Sequence, residues 1–461
     1  MAFFQFGIKR RGSPLLFSST RTLHHVSTPR ASPRRFAPPS LDNIEEVEAY
    51  WAGGFHPISI GDCFAQGRYR VLHKLGYGGS STVWLARDRE DSGKLVTLKV
   101  LRADSSSTRN PALIIPDILR AASLDCSGIQ LVDDHFFVEG PNGSHLSLVS
   151  SFAGPSIPVM LDCPGRVAGS RRLRSDLARK VAKQIAMSLY CMHRTGVVHG
   201  DITTSNILFS LSPHVITGWA DADVYNNLGR PETEQVRSHD GKPGPASAPT
   251  ELVAPIDNAN LMNSSLIQES VMLADFGQSY MVASPPKDYT PATLPNYYSP
   301  EARFEGRASF EADIWALGCT IFEIRSGFPL FSSFLGSDAD ILKQTVEILG
   351  RLPDPWWEAF EERALWFEDD GEPKNIQDQE SAGVFLYASK SSVQEQLQSV
   401  GTQDEAPLSD EGFMFEKSGI RLTEREVDLL ADLLGKMLKY RPEDRIGMQE
   451  VLVHPWFTVL D

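Results

Sequence analysis

Between two short apolar runs the chain reads Leu75-Gly76-Tyr77-Gly78-Gly79-Ser80-Ser81-Thr82-Val83. Glycines there let a backbone approach phosphate oxygens with no Cβ in the way. Twenty-three residues after Gly76, Lys99 interrupts Val96-Thr97-Leu98-Lys99-Val100. A lysine in an apolar strand is costly unless paired, and a site that grips nucleotide α- and β-phosphates needs one at this spacing. Further on, Asp201 sits in Val198-His199-Gly200-Asp201, and Asn206 follows five residues later. Such an Asp can take the proton of an attacking hydroxyl, and such an Asn can bind a metal ion. A second apolar stretch, Leu273-Ala274, ends in Asp275-Phe276-Gly277, whose carboxylate suits the Mg2+ that bridges two phosphates. Each signal alone has a plain structural alternative: a strand-connecting turn, an edge-strand lysine facing water, an Asp/Asn turn. Together they describe phosphoryl transfer.

The elements that must position these groups can be outlined from periodicity. Tyr69 to Leu75 partly alternates like a strand, and Thr82 to Ala86 and Leu95 to Val100 are short β-branched and apolar runs joined by a turn at Asp91-Ser92-Gly93. Ile185, Leu189 and Met192 recur at helical spacing within Arg179–Arg194, and Ala312–Ile324 reads as a buried helix. A β-rich first part followed by a helical second part predicts an α+β, two-lobed architecture. The expected division is a basic tail or transit peptide over 1–41, an N-terminal extension over 42–67 and a catalytic domain over 68–457. Within that domain the N-lobe covers about 68–152 and the C-lobe about 153–457. Two polar stretches, about 211–268 and about 353–422, are expected to be surface insertions.

Three further motifs complete the series: Tyr298-Ser299-Pro300-Glu301, then Asp313-Ile314-Trp315-Ala316-Leu317-Gly318, then Arg441-Pro442-Glu443-Asp444-Arg445. In their order and spacing all six resemble the eukaryotic protein kinases, from about Glu45 to Phe457. Within that superfamily the chain most resembles the SR-protein kinases. The stretch from Gly53 to Asp62, the Gly67-Arg68-Tyr69 entry to the first strand, and Ser81-Thr82-Val83-Trp84-Leu85 after the glycines carry that likeness. A long insertion splitting the body is another habit of that family, and the version from Ala220 to Tyr225 onward is similar to a fungal branch.

The resemblance implies ATP and Mg2+ as cofactors. Leu75 to Val83 would cover ATP, Lys99 would hold its phosphates, Asp201 would be the catalytic base, and Asn206 and Asp275 would bind Mg2+. Glu301 would pair with Arg445 to brace the C-lobe, Asp313 would anchor the catalytic loop, and Ser151 to Ala153 would form the hinge that meets adenine. It further implies a monomeric serine/threonine kinase of the nucleus or cytoplasm, acting on Arg/Ser-rich, splicing-type proteins, with no direct nucleic-acid contact. Three positions depart from the pattern. Gly200 replaces the Arg that usually grips a phosphorylated activation loop. Thr203 replaces the usual Lys beside the γ-phosphate. Asp117 stands where the helical Glu that pairs with Lys99 is expected.

Two rival functions are kept in view. A pseudokinase that binds nucleotide without transfer would suit Thr203 and Asp117, but not the retained Lys99, Asp201, Asn206 and Asp275. A small-molecule kinase of the aminoglycoside or choline type would share His199-Gly200-Asp201 and Asn206, but typically lacks the Asp-Phe-Gly, the Pro-Glu segment and the Asp-x-Trp helix.

Composition sets outer bounds. The 461 residues are 41% hydrophobic and 22% charged, ordinary for a globular protein. Net charge is −15, which does not suggest a nucleic-acid surface. Residues 1–41 hold seven basic residues and no acid, a composition that suits either a mitochondrial presequence or a disordered basic tail. Without them 37 basic residues face 59 acidic ones, a balance of −22, so the body would draw basic peptides toward it or simply be well solvated. The five cysteines have no metal-knuckle spacing and read as reduced thiols of an intracellular protein. No apolar run approaches the ~20 residues of a membrane span.

Overall fold

A computed structural model describes residues 34–122, 127–161, 168–239, 241–262, 264–286, 291, 293–332, 337–407 and 412–458. The basic tail or transit peptide expected over 1–41 falls largely outside them.

The first lobe is a six-stranded antiparallel sheet with strand order β1-β2-β3-β4-β6-β5. Its strands are β1 (Cys63–Phe64), β2 (Tyr69–Tyr77), β3 (Ser81–Asp88), β4 (Leu95–Leu101), β5 (Val132–Gly140) and β6 (Gly143–Ser151). The Asp91-Ser92-Gly93 turn joins β3 to β4, with Ser92 at φ 50° and Gly93 at φ 73°. Tyr69, Val71, Trp84, Ala86, Val96, Leu98 and Val100 build one core on the sheet. Helix α1 (Pro111–Ala121) starts at an Asn110 cap with Pro111 in its first turn, both favourable there.

The second lobe is helical. Helix α2 (Ile157–Leu161) leads to α3 (Ser175–Arg194), which buries Leu177, Val181, Ile185, Leu189 and Met192, the stripe that its sequence spacing predicts. The pairs β7 (Val197–Val198) with β12 (Tyr280–Met281), and β8 (Ile207–Leu211) with β11 (Ile267–Leu273), bracket the catalytic motifs. Helices α6 (Pro300–Glu305) and α7 (Phe310–Ser326) follow, and α7 is buried nearly all round from Asp313 to Ser326. A helix apolar on every face belongs at the centre of a fold, and α7 packs on α3 there. Beyond it come α8 (Asp338–Leu349) and, nearer the C-terminus, the helix Glu424–Met437.

Three stretches carry packed structure of their own. The stretch 211–268, expected as a surface insertion, is one of them. It forms α4 (Pro213–Ile216), α5 (Asp221–Leu228) and the hairpin of β9 (Thr233–Gln235) with β10 (Glu251–Val253). Its Trp219, Val224, Leu228, Ile256 and Leu261 share a core with Leu72, Leu85, Leu95 and Phe152 of the first lobe. Asp221 bridges Arg70 of β2 and Arg87 of β3, the latter at 2.9 Å. In 353–422, expected as the second insertion, Trp356, Trp357, Phe360, Trp366 and Phe367 pack with Leu342 and Val346 of α8. The ordered extension, finally, begins before residue 42. Phe36 is buried with Val47, Tyr50 and Phe55 against Val236 and Leu252 of the insertion, and Glu234 accepts hydrogen bonds from Ser40 and Leu41. In each stretch the apolar residues complete a core only with partners from elsewhere in the chain, which composition alone does not reveal.

Candidate active site

The glycine loop is the tight connection between β2 and β3, closed by a 2.8 Å hydrogen bond from the Gly78 N–H to the Ser81 carbonyl. A Cβ placed on Gly76, Gly78 or Gly79 would meet no atom within 4 Å. These glycines therefore face open space, the room that a phosphate chain needs. Beneath the loop lies a cleft of about 430 Å³ between the lobes, lined by Leu75, Gly76, Tyr77, Gly78, Ser81, Val83, Lys99, Asn206, Asp275 and Ala153 of the predicted hinge. The carbonyl of Ser151, also in the predicted hinge, accepts a 2.9 Å hydrogen bond from Gln130 Nε2. Gly79, Ser80 and Thr82 complete the hairpin, with Thr82 buried.

Lys99 sits mid-strand on β4, paired across to Val83 of β3 and Leu148 of β6. The edge-strand alternative is thereby excluded. Its Nζ donates to Asp275 Oδ2 at 2.7 Å. Burial alone would push the Asp275 carboxyl up, but the neighbouring Lys99 ammonium overrides it and holds the group below the usual carboxylate range. Asp275 has φ 70°, a region a non-glycine residue occupies only when its surroundings enforce it.

The catalytic loop is pinned from below. Both oxygens of Asp313, buried on α7, accept backbone hydrogen bonds: Oδ2 from the His199 N–H at 2.8 Å and Oδ1 from the Gly200 N–H at 2.9 Å. Asn206 Nδ2 donates to the carbonyl of Asp201 at 2.8 Å and to its Oδ2 at 2.7 Å. Asp201 Oδ1 takes no hydrogen bond among the described residues, and the residue is partly exposed. Arg445 grips Glu301 as a fork, at 2.6 Å and 2.7 Å, with both side chains buried.

One predicted partner is not where the pattern puts it. The side chain of Asp117 is 80% exposed and pairs with Arg120 at 3.2 Å, not with Lys99. The reason is helical phase. Helix α1 turns Ala112, Ile115, Pro116 and Leu119 inward, and Asp117 falls on the opposite face. Asp275 alone is the anion at Lys99 among the described residues. Thr203 is buried, and Lys99 is the only basic side chain among the described residues lining the cleft, so no other cation takes the place of the missing lysine there.

Sequence motifs missed two features. Ile256, Asn258 and Leu261 of the insertion line the cleft. Glu323 of α7 joins Thr204 of the catalytic loop, Oγ1 to Oε1 at 3.1 Å, to the hydroxyl of Tyr297. Burial raises the Glu323 carboxyl above its ordinary range despite these two donors.

A two-lobed body, a glycine loop over an interlobe cleft, a lysine–aspartate pair within it and an Asp–Asn pair at its floor together define a phosphotransferase of the protein kinase type. The chain belongs to the protein kinase family: the family model described as "Protein kinase domain" matches residues 69–227 and 256–457. Its gap falls inside the insertion. Among similar proteins, the serine/threonine-protein kinase SRPK of Physarum polycephalum is 24% identical over 428 residues, covering 90% of this chain and 91% of that one. Protein kinase dsk1 of Schizosaccharomyces pombe is 24% identical over 415 residues, 72% of this chain and 75% of that one. The serine/threonine-protein kinase spk-1 of Caenorhabditis elegans is 33% identical, but over 174 residues that make up 36% of this chain and 17% of the relative. The SR-protein-kinase resemblance thus extends across most of the chain, and these relatives are kinases by name. Among the described residues no helix is long and apolar enough to cross a membrane.

Proposed function

We propose that the protein transfers the γ-phosphate of ATP to serines of proteins, with Arg/Ser-rich segments as the preferred acceptors. The observation that carries the transfer is Oδ1 of Asp201, without a hydrogen bond among the described residues, beside an Asn206 and an Asp275 that share the cleft with Lys99. ATP with Mg2+ supplies the phosphoryl group and neutralises its charge when bound. These residues fit that pair, since the glycine positions leave space and the cleft carries one cation for phosphate and two oxygen ligands for metal. Lys99 would hold the phosphates, and Asn206 and Asp275 the metal. Asp201 would accept the proton of the acceptor hydroxyl at Oδ1, while Asn206 fixes Oδ2 and so orients the carboxylate. Asp313 keeps the loop rigid through two backbone hydrogen bonds, and the Glu301–Arg445 fork braces the lobe around it.

The acceptor class rests on charge and resemblance. The acidic body attracts arginine-rich peptides, and Glu368, Asp369 and Asp370 form an exposed acidic turn closed by the Gly371 N–H to the Glu368 carbonyl at 2.9 Å. The deciding experiment offers Mg-ATP with labelled γ-phosphate, an Arg/Ser-repeat peptide and a general basic substrate. Transfer should favour the Arg/Ser peptide and fall about 10²–10⁴-fold in Asp201→Asn. Charge reversal at 368–370 should raise the KM for that peptide, and an unchanged KM removes the acidic turn from the account. No transfer above the Asp201→Asn background, from folded protein, would leave nucleotide binding without catalysis as the better account.

A further inference from the structure

Lys74 stands two residues before Gly76, and its side chain is fully buried. Its ammonium pairs with Glu45 of the N-terminal extension and donates to the Val253 carbonyl of the insertion at 3.0 Å. The same ammonium lies 5.7 Å from the ring centre of Tyr77 in the glycine loop and 5.5 Å from that of Trp84. The other oxygen of Glu45 accepts from the Tyr50 hydroxyl at 2.5 Å. The backbone joins in, because the Lys74 carbonyl accepts the Ile256 N–H at 2.9 Å. Ile256 and Leu261 in turn line the nucleotide cleft. A buried ammonium is expensive unless its donors are matched. Two distant segments meet that need here, so separating either of them from Lys74 leaves a buried donor unmatched.

We propose that Lys74 is a positioning residue that fastens the extension and the insertion to the root of the glycine loop, making segment 253–261 a fixed wall of the cleft that sets nucleotide affinity. This rests on the kinase function proposed above. The clamp does not touch Asp201, so it acts on nucleotide binding and leaves the acceptor side alone. A clamp that served only overall stability would not separate the two.

The test uses the full chain. Removing one charge alone would strand the other in the core, so the first variant is the double Lys74→Met/Glu45→Gln. Ile256→Ala is the second and trims the wall while keeping both the Lys74–Glu45 pair and the Ile256 N–H bond to the Lys74 carbonyl. Calorimetry with Mg-ADP and amide exchange at 253–261 without nucleotide are the readouts. The double variant should bind Mg-ADP about tenfold more weakly and exchange faster at 253–261, with its KM for acceptor peptide unchanged. Ile256→Ala should weaken Mg-ADP in the same direction. A folded double variant with wild-type affinity and wild-type exchange overturns the proposal. Should the double variant fail to fold, Ile256→Ala decides: weaker Mg-ADP binding upholds the wall, and wild-type affinity sinks it. Wild-type protein that binds no Mg-ADP would refute the kinase function instead, and the clamp would then stand or fall on the exchange alone.

Discussion

At the scale of single residues, the groups that sequence spacing picks out are those whose partners lie close in the motif or are dictated by the chemistry. Asp201 and Asn206 are five apart, and their side chains touch. Lys74 was not legible, because Glu45 is 29 residues away and Val253 is 179 away, and no local pattern marks either as a partner. Gly200 shows what a departure from pattern does. Its φ of 79° suits glycine, and a Cβ in that region costs about 1–2 kcal/mol. Its N–H is held by Asp313, so the loop is ordered from α7 without a guanidinium to bind a phosphorylated segment. Phosphorylation of the activation segment therefore finds no cation at this position to order it. The expected outcome is that phosphatase-treated and untreated protein have kcat values within about twofold of each other. A many-fold loss on phosphatase treatment would show that another cation does this work.

At the scale of elements, strands and buried helices were legible, while the orientation of α1 was not. The β2–β3–β4 meander follows from alternation and from the turn at Ser92-Gly93, and α7 from an unbroken apolar run. In α1, by contrast, a short helix of Leu, Ile and Pro offers two apolar faces, and tertiary packing chose the one that turns Asp117 to water. The usual switch, in which a helical acid engages or leaves the phosphate-binding lysine, is then missing from this element. Asp117→Ala should change kcat/KM by less than about twofold, and stability by less than about 0.5 kcal/mol, as for other exposed pairs. Activity assays and urea midpoints measure the two. A large fall in kcat/KM with unchanged stability would mean that α1 rotates to bring Asp117 to Lys99 during turnover.

At the scale of the whole molecule, the extension, the sheet and the insertion form one packed unit, and its least conspicuous seam is pH-sensitive. His56 of the extension lies 4.8 Å, ring to ring, from His145 of β6. His145 Nδ1 is 2.9 Å from the Leu101 carbonyl, while His56 Nδ1 and His145 Nε2 are buried without hydrogen-bond partners among the described residues. Burial, with His145 adding to it, pushes His56 down from 6.5 to about 4, and burial lowers His145 as well. The sign follows from proton linkage. The unfolded chain takes up a proton at His56 near pH 6.5, whereas the folded protein resists until about pH 4. Stability is therefore full above pH 6.5 and lost as pH falls toward 4, by about 2 kcal/mol at pH 5 from His56 alone. His56→Phe keeps an aromatic ring against Phe64 and removes the titration. The drop in urea midpoint between pH 7 and pH 5 should shrink in that variant by about this amount relative to wild type. Parallel pH profiles would instead mean that His56 meets water in the folded protein, and the seam between extension and sheet would then be looser than its packing implies.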